Sequence, residues 1–364
     1  MSHEAVYFYV AAIAILAAVF SYAASSVSSK FATRYGAVDQ PTGGRKIHRF
    51  PVPLLGGTGI IVTMILSIAI ISSLGLLPNV SYRQIIGFVI ALIILCVGGV
   101  LDDIRPQPPL RQLVFPILAS LVVIASGTGI IQVTSLTEPS GFSLVWWQYK
   151  YSLLATHYSL LSFPADLITL LWLLFATYST KLLDGLDGLV AGIAVIGSSM
   201  VGALTLSAAY FQPGVAALAA TVGGSFLGFL PRNAHPAKQF LGEAGSTVAG
   251  FSLGVLAIVS SAKIAIALAV LAIPIADAVF VAIGRIRKGQ SPLKGDASHL
   301  HFRLLNAGAS HKTAVYLLWS ASFIAGLAAL SLQTKGKIFL VGALIALTGL
   351  CSWLVRKIGP QRGE

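Results

Sequence analysis

A chain of 364 residues that is 56% hydrophobic and 10% charged, with a mean hydropathy of +0.86, carries far fewer charges than the roughly 25% of an ordinary soluble domain. It has too few to solvate a globular surface, and its apolar blocks run near 20 residues, the length a helix needs to cross about 30 Å of hydrocarbon. The runs are continuous rather than alternating, which excludes a β-barrel, and the net charge of +12 is accounted for by headgroup-facing loops rather than by nucleic acid.

Taken in chain order, eleven spans are expected: about 5–24, 55–75, 84–101, 112–131, 164–180, 188–208, 214–231, 246–262, 264–284, 313–332 and 337–355. The first follows Glu4 without a basic n-region or a small-residue cleavage site, so it reads as a retained helix. Cys96 and Cys351 fall inside apolar runs and read as inert thiols. Sorted by loop, nineteen of the 24 Lys and Arg residues share one side; the other side has Arg83, Lys150, Lys263, Lys335 and Lys337. The rich side is assigned to the cytoplasm, which puts the N-terminus outside and the C-terminus inside. The expected fold is therefore all-α: one integral-membrane domain over 1–364, multi-pass in the cell membrane, with a cytoplasmic-face active site. Residues 132–163 are expected to form a long outer loop whose Trp146, Trp147, Tyr149, Tyr151 and Tyr158 suit an interfacial aromatic belt. No internal repeat is visible, which weakens an inverted-repeat transporter.

Only twelve Asp and Glu residues exist, and they are unevenly placed. Asp102 and Asp103 close the third span, Asp184 and Asp187 lie in KLLDGLDGL, Glu243 lies in QFLGEAGS, and Asp296 lies in the last large inner loop. One carboxylate at the end of a span is ordinarily a solvated terminus. Several from separate loops at one membrane face make a cage for a hard divalent cation, Mg²⁺ with Mn²⁺ as its stand-in. Asp184 and Asp187 are three apart and share a face if helical, while Gly185 and Gly188 allow close approach of another chain or a phosphate. In GDASHLHFRLLNAG, His299, His301 and Arg303 alternate along an expected loop, where one edge of donors could face an anion. Zinc fits the histidine pair less well, because no third ligand stands at a recognised spacing. The cluster Arg45-Lys46-Ile47-His48-Arg49 serves either as topological charge or as an attractor of anionic phosphate. From residues alone, this is an integral-membrane enzyme acting on phosphate esters with Mg²⁺.

Five segments, VDQPTGGRKIHRFPVPLLGG, GGVLDD, LLDGLDGL, FLGFLPRNAHPAKQFLGEAGS and SHLHFRLLNAGASHK, together resemble the polyprenyl-phosphate N-acetylhexosamine-1-phosphate transferases, in order from about residue 30 to 315. The resemblance implies that a UDP-N-acetylhexosamine gives its sugar-1-phosphate to a polyprenyl phosphate and releases UMP. The histidine segment is closer to the branch that uses UDP-N-acetylglucosamine than to the one with three consecutive histidines. The resemblance further implies that Asp102, Asp103, Asp184 and Asp187 carry the chemistry, and that Glu243 holds Mg²⁺ with Asp184 or Asp187. It assigns uracil contacts to Asn233 and Phe240 and diphosphate or sugar contacts to His299, His301 and Arg303; Lys46 and Lys181 are expected as further substrate contacts on the ground of their charge. Two positions depart from the family pattern: Lys181 stands where Asn is common, and Glu243 where Asp is common. A protonated Lys has no lone pair for a metal, so Lys181 is expected to neutralise Asp184 or to reach a diphosphate oxygen. Transfer of phospho-N-acetylmuramoyl-pentapeptide, or a non-catalytic scaffold or lipid transporter, are the alternative readings, and a homodimer follows by analogy only.

Overall fold

A computed structural model describes residues 2–41, 50–133, 142–143, 145–153, 156–260, 264–290 and 299–358. In chain order these form α1 (His3–Arg34), β1 (Val38–Asp39), β2 (Val52–Pro53), α2 (Gly56–Ser73), α3 (Tyr82–Ile104) and α4 (Pro109–Ala125). Four strands follow, β3 (Gln132–Val133), β4 (Phe142–Ser143), β5 (Val145–Leu153) and β6 (Thr156–Pro164). The chain continues with α5 (Ala165–Leu183), α6 (Leu189–Leu206), α7 (Pro213–Asn233), α8 (Gly242–Val259), α9 (Ile264–Arg287), α10 (Leu300–Asn306), α11 (His311–Ser331) and α12 (Thr334–Ile358). Ten of these helices are long and apolar enough to cross a membrane, and α4 is an eleventh apolar helix of 17 residues. Each expected span maps onto one of them. The protein is a multi-pass, all-α membrane protein.

Local chemistry starts the helices. The Ser2 hydroxyl accepts from the Ala5 amide at the head of α1, Ser81 and Gln84 close a reciprocal capping box on α3, and Ser310 caps α11. Pro109 and Pro213 open α4 and α7 at a position where no amide hydrogen is needed. The helices pack through small residues, as expected where lipid supplies no hydrophobic drive between them. A Cβ on Gly224 or Gly228 of α7 would lie 2.3 Å from the Ala14 oxygen or 1.9 Å from the Ala18 oxygen of α1. Gly57 of α2 and Gly99 of α3 press in the same way on Gly245 and Ala244 of α8. α8 is the hub: 83% of its apolar window is buried, against 11% for α12. Buried hydroxyls mostly return to their own helix, but Thr180 donates to the Ser246 carbonyl (2.8 Å) and the Trp172 indole to the Gly254 carbonyl (3.1 Å), tying α5 to α8.

Two expectations change. The outer segment is not wholly loop: β5 and β6 pair antiparallel, Val145 opposite Pro164 and Leu153 opposite Thr156. Their aromatic and β-branched residues favour strand; what the side chains of Trp146, Trp147, Tyr149, Tyr151 and Tyr158 contact lies outside the described residues. The histidine segment is likewise not an extended loop, because residues 300–306 form the short helix α10 with His299 at its N-cap.

Candidate active site

The ends of α3, α5 and α7 and the starts of α4, α8 and α11 meet at one end of the bundle. Asp102 and Asp103 occupy the last turn of α3, and Glu243 the first turn of α8. Asp103 Oδ1 accepts from the Glu243 amide at 2.9 Å, so a carboxylate caps the N-terminus of α8, where the helix dipole favours negative charge. Asp103 Oδ2 is buried and has no hydrogen-bond partner among the described residues. It points to Gly242, whose φ of +73° suits glycine and where a Cβ would stand 2.4 Å from that oxygen.

Asp102 Oδ1 accepts from the Gln107 amide (2.8 Å) and from Gln112 Nε2 (2.9 Å). The same Gln112 amide accepts through Oε1 from Lys181 Nζ (2.7 Å), and Lys181 also donates to Glu243 Oε1 (2.6 Å). Donors on one side and an acceptor on the other fix which way the amide points. Lys181 therefore spends its charge on Glu243 rather than on Asp184. The result is a continuous chain, Asp102–Gln112–Lys181–Glu243, that joins α3, α4, α5 and α8. A small cleft opens beside it, lined by Gly98, Gly99, Asp102, Gln112, Glu243 and Thr247.

Asp184 and Asp187 do not share a helical face. The chain leaves α5 at Leu183 and turns through Gly185 and Gly188, the latter at φ +80°, before α6 begins. Asp184 lies within electrostatic range of Asp103 and Glu243. Although the residue keeps an open face, crowding by protein atoms, then the charges of Glu243 and Asp187, raise its carboxyl to about 7. Asp187 turns the other way: its Oδ2 meets His235 Nδ1 at 2.7 Å and accepts from the Ala237 amide at 3.1 Å.

The histidine segment packs against the α5–α6 turn. His299 Nδ1 lies 2.9 Å from Asp277 Oδ2, and the other Asp277 oxygen accepts from the Leu300 amide at 2.9 Å. Asp277 is 2% exposed in the middle of the apolar α9 and pins the start of α10. The His301 ring is buried with both nitrogens unpartnered among the described residues, and it packs against Gly185, where a Cβ would lie 2.2 Å from Nε2. Burial, then the neighbouring His299 and His311, push its pKa down to about 3, so the ring is neutral at physiological pH. Arg303 Nη1 donates to Ser352 of α12 at 2.6 Å. The three residues expected to present a single edge thus reach three different elements.

Asn233 is buried; its oxygen accepts from the Gly188 amide (3.1 Å) and its nitrogen donates to the Gln239 carbonyl (3.1 Å), bracing the α5–α6 turn against the segment after α7. Phe240 is half-buried beside it, with its backbone paired to Pro53 and Gly56. Lys46, with Arg45, His48 and Arg49, lies outside the described residues, as does Asp296. Gln112, Asp277, His235 and His311 were not anticipated as site residues. Of these, Asp277 had a signal: an acid inside an apolar span is a functional candidate by default.

The donor set of the cage is oxygen only, with one buried oxygen unpartnered, and that chemistry fits a hard divalent cation. Glu243, the residue expected to hold Mg²⁺, is already paired with Lys181, and the unpartnered oxygen belongs to Asp103.

Fold and site together define a polytopic membrane protein with an acidic site at one end of its bundle. Residues 85–261 match glycosyl transferase family 4. The chain is 30% identical over 318 residues to the "Probable undecaprenyl-phosphate N-acetylglucosaminyl 1-phosphate transferase" of Bacillus subtilis, covering 85% of this chain and 80% of the relative. It is 26% identical to the "Decaprenyl-phosphate N-acetylglucosaminephosphotransferase" of Mycolicibacterium smegmatis (85% and 78% covered) and 30% identical to the "Phospho-N-acetylmuramoyl-pentapeptide-transferase" of Desulforamulus reducens (76% and 81% covered). The chain belongs to glycosyl transferase family 4.

Proposed function

We propose that this protein transfers N-acetylglucosamine-1-phosphate from UDP-N-acetylglucosamine to a polyprenyl phosphate and releases UMP. The observation that carries the reading is the linked group of Asp102, Asp103 and Glu243, with Asp184 within electrostatic range, at the end of a membrane bundle, where a lipid phosphate and a soluble nucleotide sugar can meet. The names of the similar proteins from Bacillus subtilis and Mycolicibacterium smegmatis support the same donor sugar and a polyprenyl acceptor.

An oxygen of the lipid phosphate attacks the sugar-bearing phosphorus of the donor. The bond from that phosphorus to the bridging oxygen breaks, and UMP leaves with the electron pair. A phosphomonoester has a second pKa of about 6, so the nucleophile is already mostly dianionic at neutral pH and needs no strong base. Asp102, held by Gln107 and Gln112, then serves to position the acceptor rather than to ionise it. Such transfers depend mainly on positioning and charge neutralisation. Asp103 and Asp184 would hold Mg²⁺, which would supply neutralisation of the diphosphate charge. Lys181 keeps Glu243 compensated, and the neutral His301 walls the site without adding charge. We assign this end to the cytoplasmic side of the cell membrane because the cationic residues of the bundle concentrate there.

Purified protein given UDP-N-acetylglucosamine, polyprenyl phosphate and Mg²⁺ is expected to release UMP, with much slower release from UDP-N-acetylmuramoyl-pentapeptide. Absence of release, together with absence of exchange of labelled UMP into the donor, would refute the assignment.

A further inference from the structure

Beside the oxygen cage stands a cluster with different chemistry. Asp187 in the α5–α6 turn, His235 after α7 and His311 at the head of α11 each offer one ligand atom, and these atoms all lie within 4.8 Å of one another. The Asp187 carboxylate is already oriented: Oδ2 sits 2.7 Å from His235 Nδ1 and accepts from the Ala237 amide. On the other side, His311 Nε2 is buried and has no hydrogen-bond partner among the described residues. That unpartnered nitrogen is available to a cation in its neutral, unprotonated form.

We propose that Asp187, His235 and His311 form a second divalent-cation site, distinct from the oxygen cage, that takes a borderline transition ion of the Zn²⁺ class. Two imidazoles and one carboxylate suit such an ion, whereas Mg²⁺ prefers oxygen donors. The rings of His235 and His311 are stacked, with centroids 4.0 Å apart and planes 16° apart, so one ring rotates to bring both lone pairs onto the ion. His235 is the ring that moves, since its side chain is 40% exposed. The bound ion ties together the α5–α6 turn, the segment after α7 and the start of α11, all of which border the cage. Its role is to clamp these segments; no contact with substrate is required of it.

The test is Co²⁺ titration of the tag-free, chelator-treated protein in detergent with Mg²⁺ in excess. One equivalent is expected to bind with a visible absorption band that Zn²⁺ abolishes and added Mg²⁺ does not. His311→Gln is expected to weaken binding at least ~10-fold, the loss that removing even an outer-shell partner brings. Because His311 is partly buried, the exposed His235→Gln provides a second variant with the same expected loss. Zn²⁺ should also raise the Tm of the wild type and not that of His235→Gln. Absence of stoichiometric binding to the wild type, or wild-type affinity in His235→Gln, overturns the proposal.

Discussion

On the carboxylate side of the site, Lys181 pairs with Glu243 and reaches Asp102 only through Gln112, Asp184 lies within electrostatic range of Asp103 and Glu243, and one buried oxygen of Asp103 has no partner among the described residues. On the histidine side, Asp277 serves His299 and the Leu300 amide, Ser352 serves Arg303, and His301 is packed neutral against Gly185. The first side keeps ligand capacity that its own residues do not use, as a group meant to meet a cation and phosphates must. The second is spent mostly on holding a wall in place, His301 excepted, whose two buried ring nitrogens have no partner among the described residues. Substitutions on the first side should therefore cost turnover more than folding, and those on the second should cost folding first.

The largest effect is expected from Asp103→Asn: a loss of ~10²–10³-fold in turnover, the scale of removing one well-placed electrostatic group, with the melting temperature unchanged or raised. Near-normal turnover would erase the distinction between the two sides. Next comes Asp277→Ala, which orphans the His299 ring and the Leu300 amide; each unpaired buried donor costs roughly 1–3 kcal/mol, readable in thermal unfolding. An unshifted unfolding curve would show that the wall stands without this pin. Gly185→Ala drives a methyl into the buried His301 ring and should destabilise by about 1–3 kcal/mol through overpacking, with activity falling as the turn shifts. The smallest effect is pH-linked. Because the Asp184 carboxyl is raised to about 7, its ionisation works against the fold, so stability held below pH 4 is lost as pH rises through 7. Asp184→Asn should accordingly raise Tm at pH 8 and leave it unchanged at pH 4; an equal gain at both would contradict the electrostatic cause.

Much of this arrangement can be read from the chain, because membrane spans declare themselves by length and hydropathy and because acids are so scarce that their positions stand out. Asp102, Asp103, Asp184 and Glu243 were legible for that reason. The turn that separates Asp184 from Asp187 was only half legible: Gly185 and Gly188 signalled a break, yet the spacing of three suggested a shared helical face. Gln112 carries no charge and has no motif around it; only the packing of α4 beside α3 and α5 turns it into the link between Asp102 and Lys181. Lys181 itself was visible as a departure from the family pattern, but its partner depends on the rotamer, which sequence does not hold. His235 and His311 lie 76 residues apart and acquire meaning only when α11 docks beside the turn.

The central claim is that sugar and phosphate travel together to the lipid at the carboxylate end of the bundle. A donor labelled both in N-acetylglucosamine and in its sugar-linked phosphorus tests this directly. In a single turnover with polyprenyl phosphate, the account predicts both labels in the lipid fraction in equal amounts for the wild type, and neither above background for Asp103→Asn. Sugar label reaching the lipid without the phosphorus, or both labels reaching it undiminished in Asp103→Asn, would contradict it.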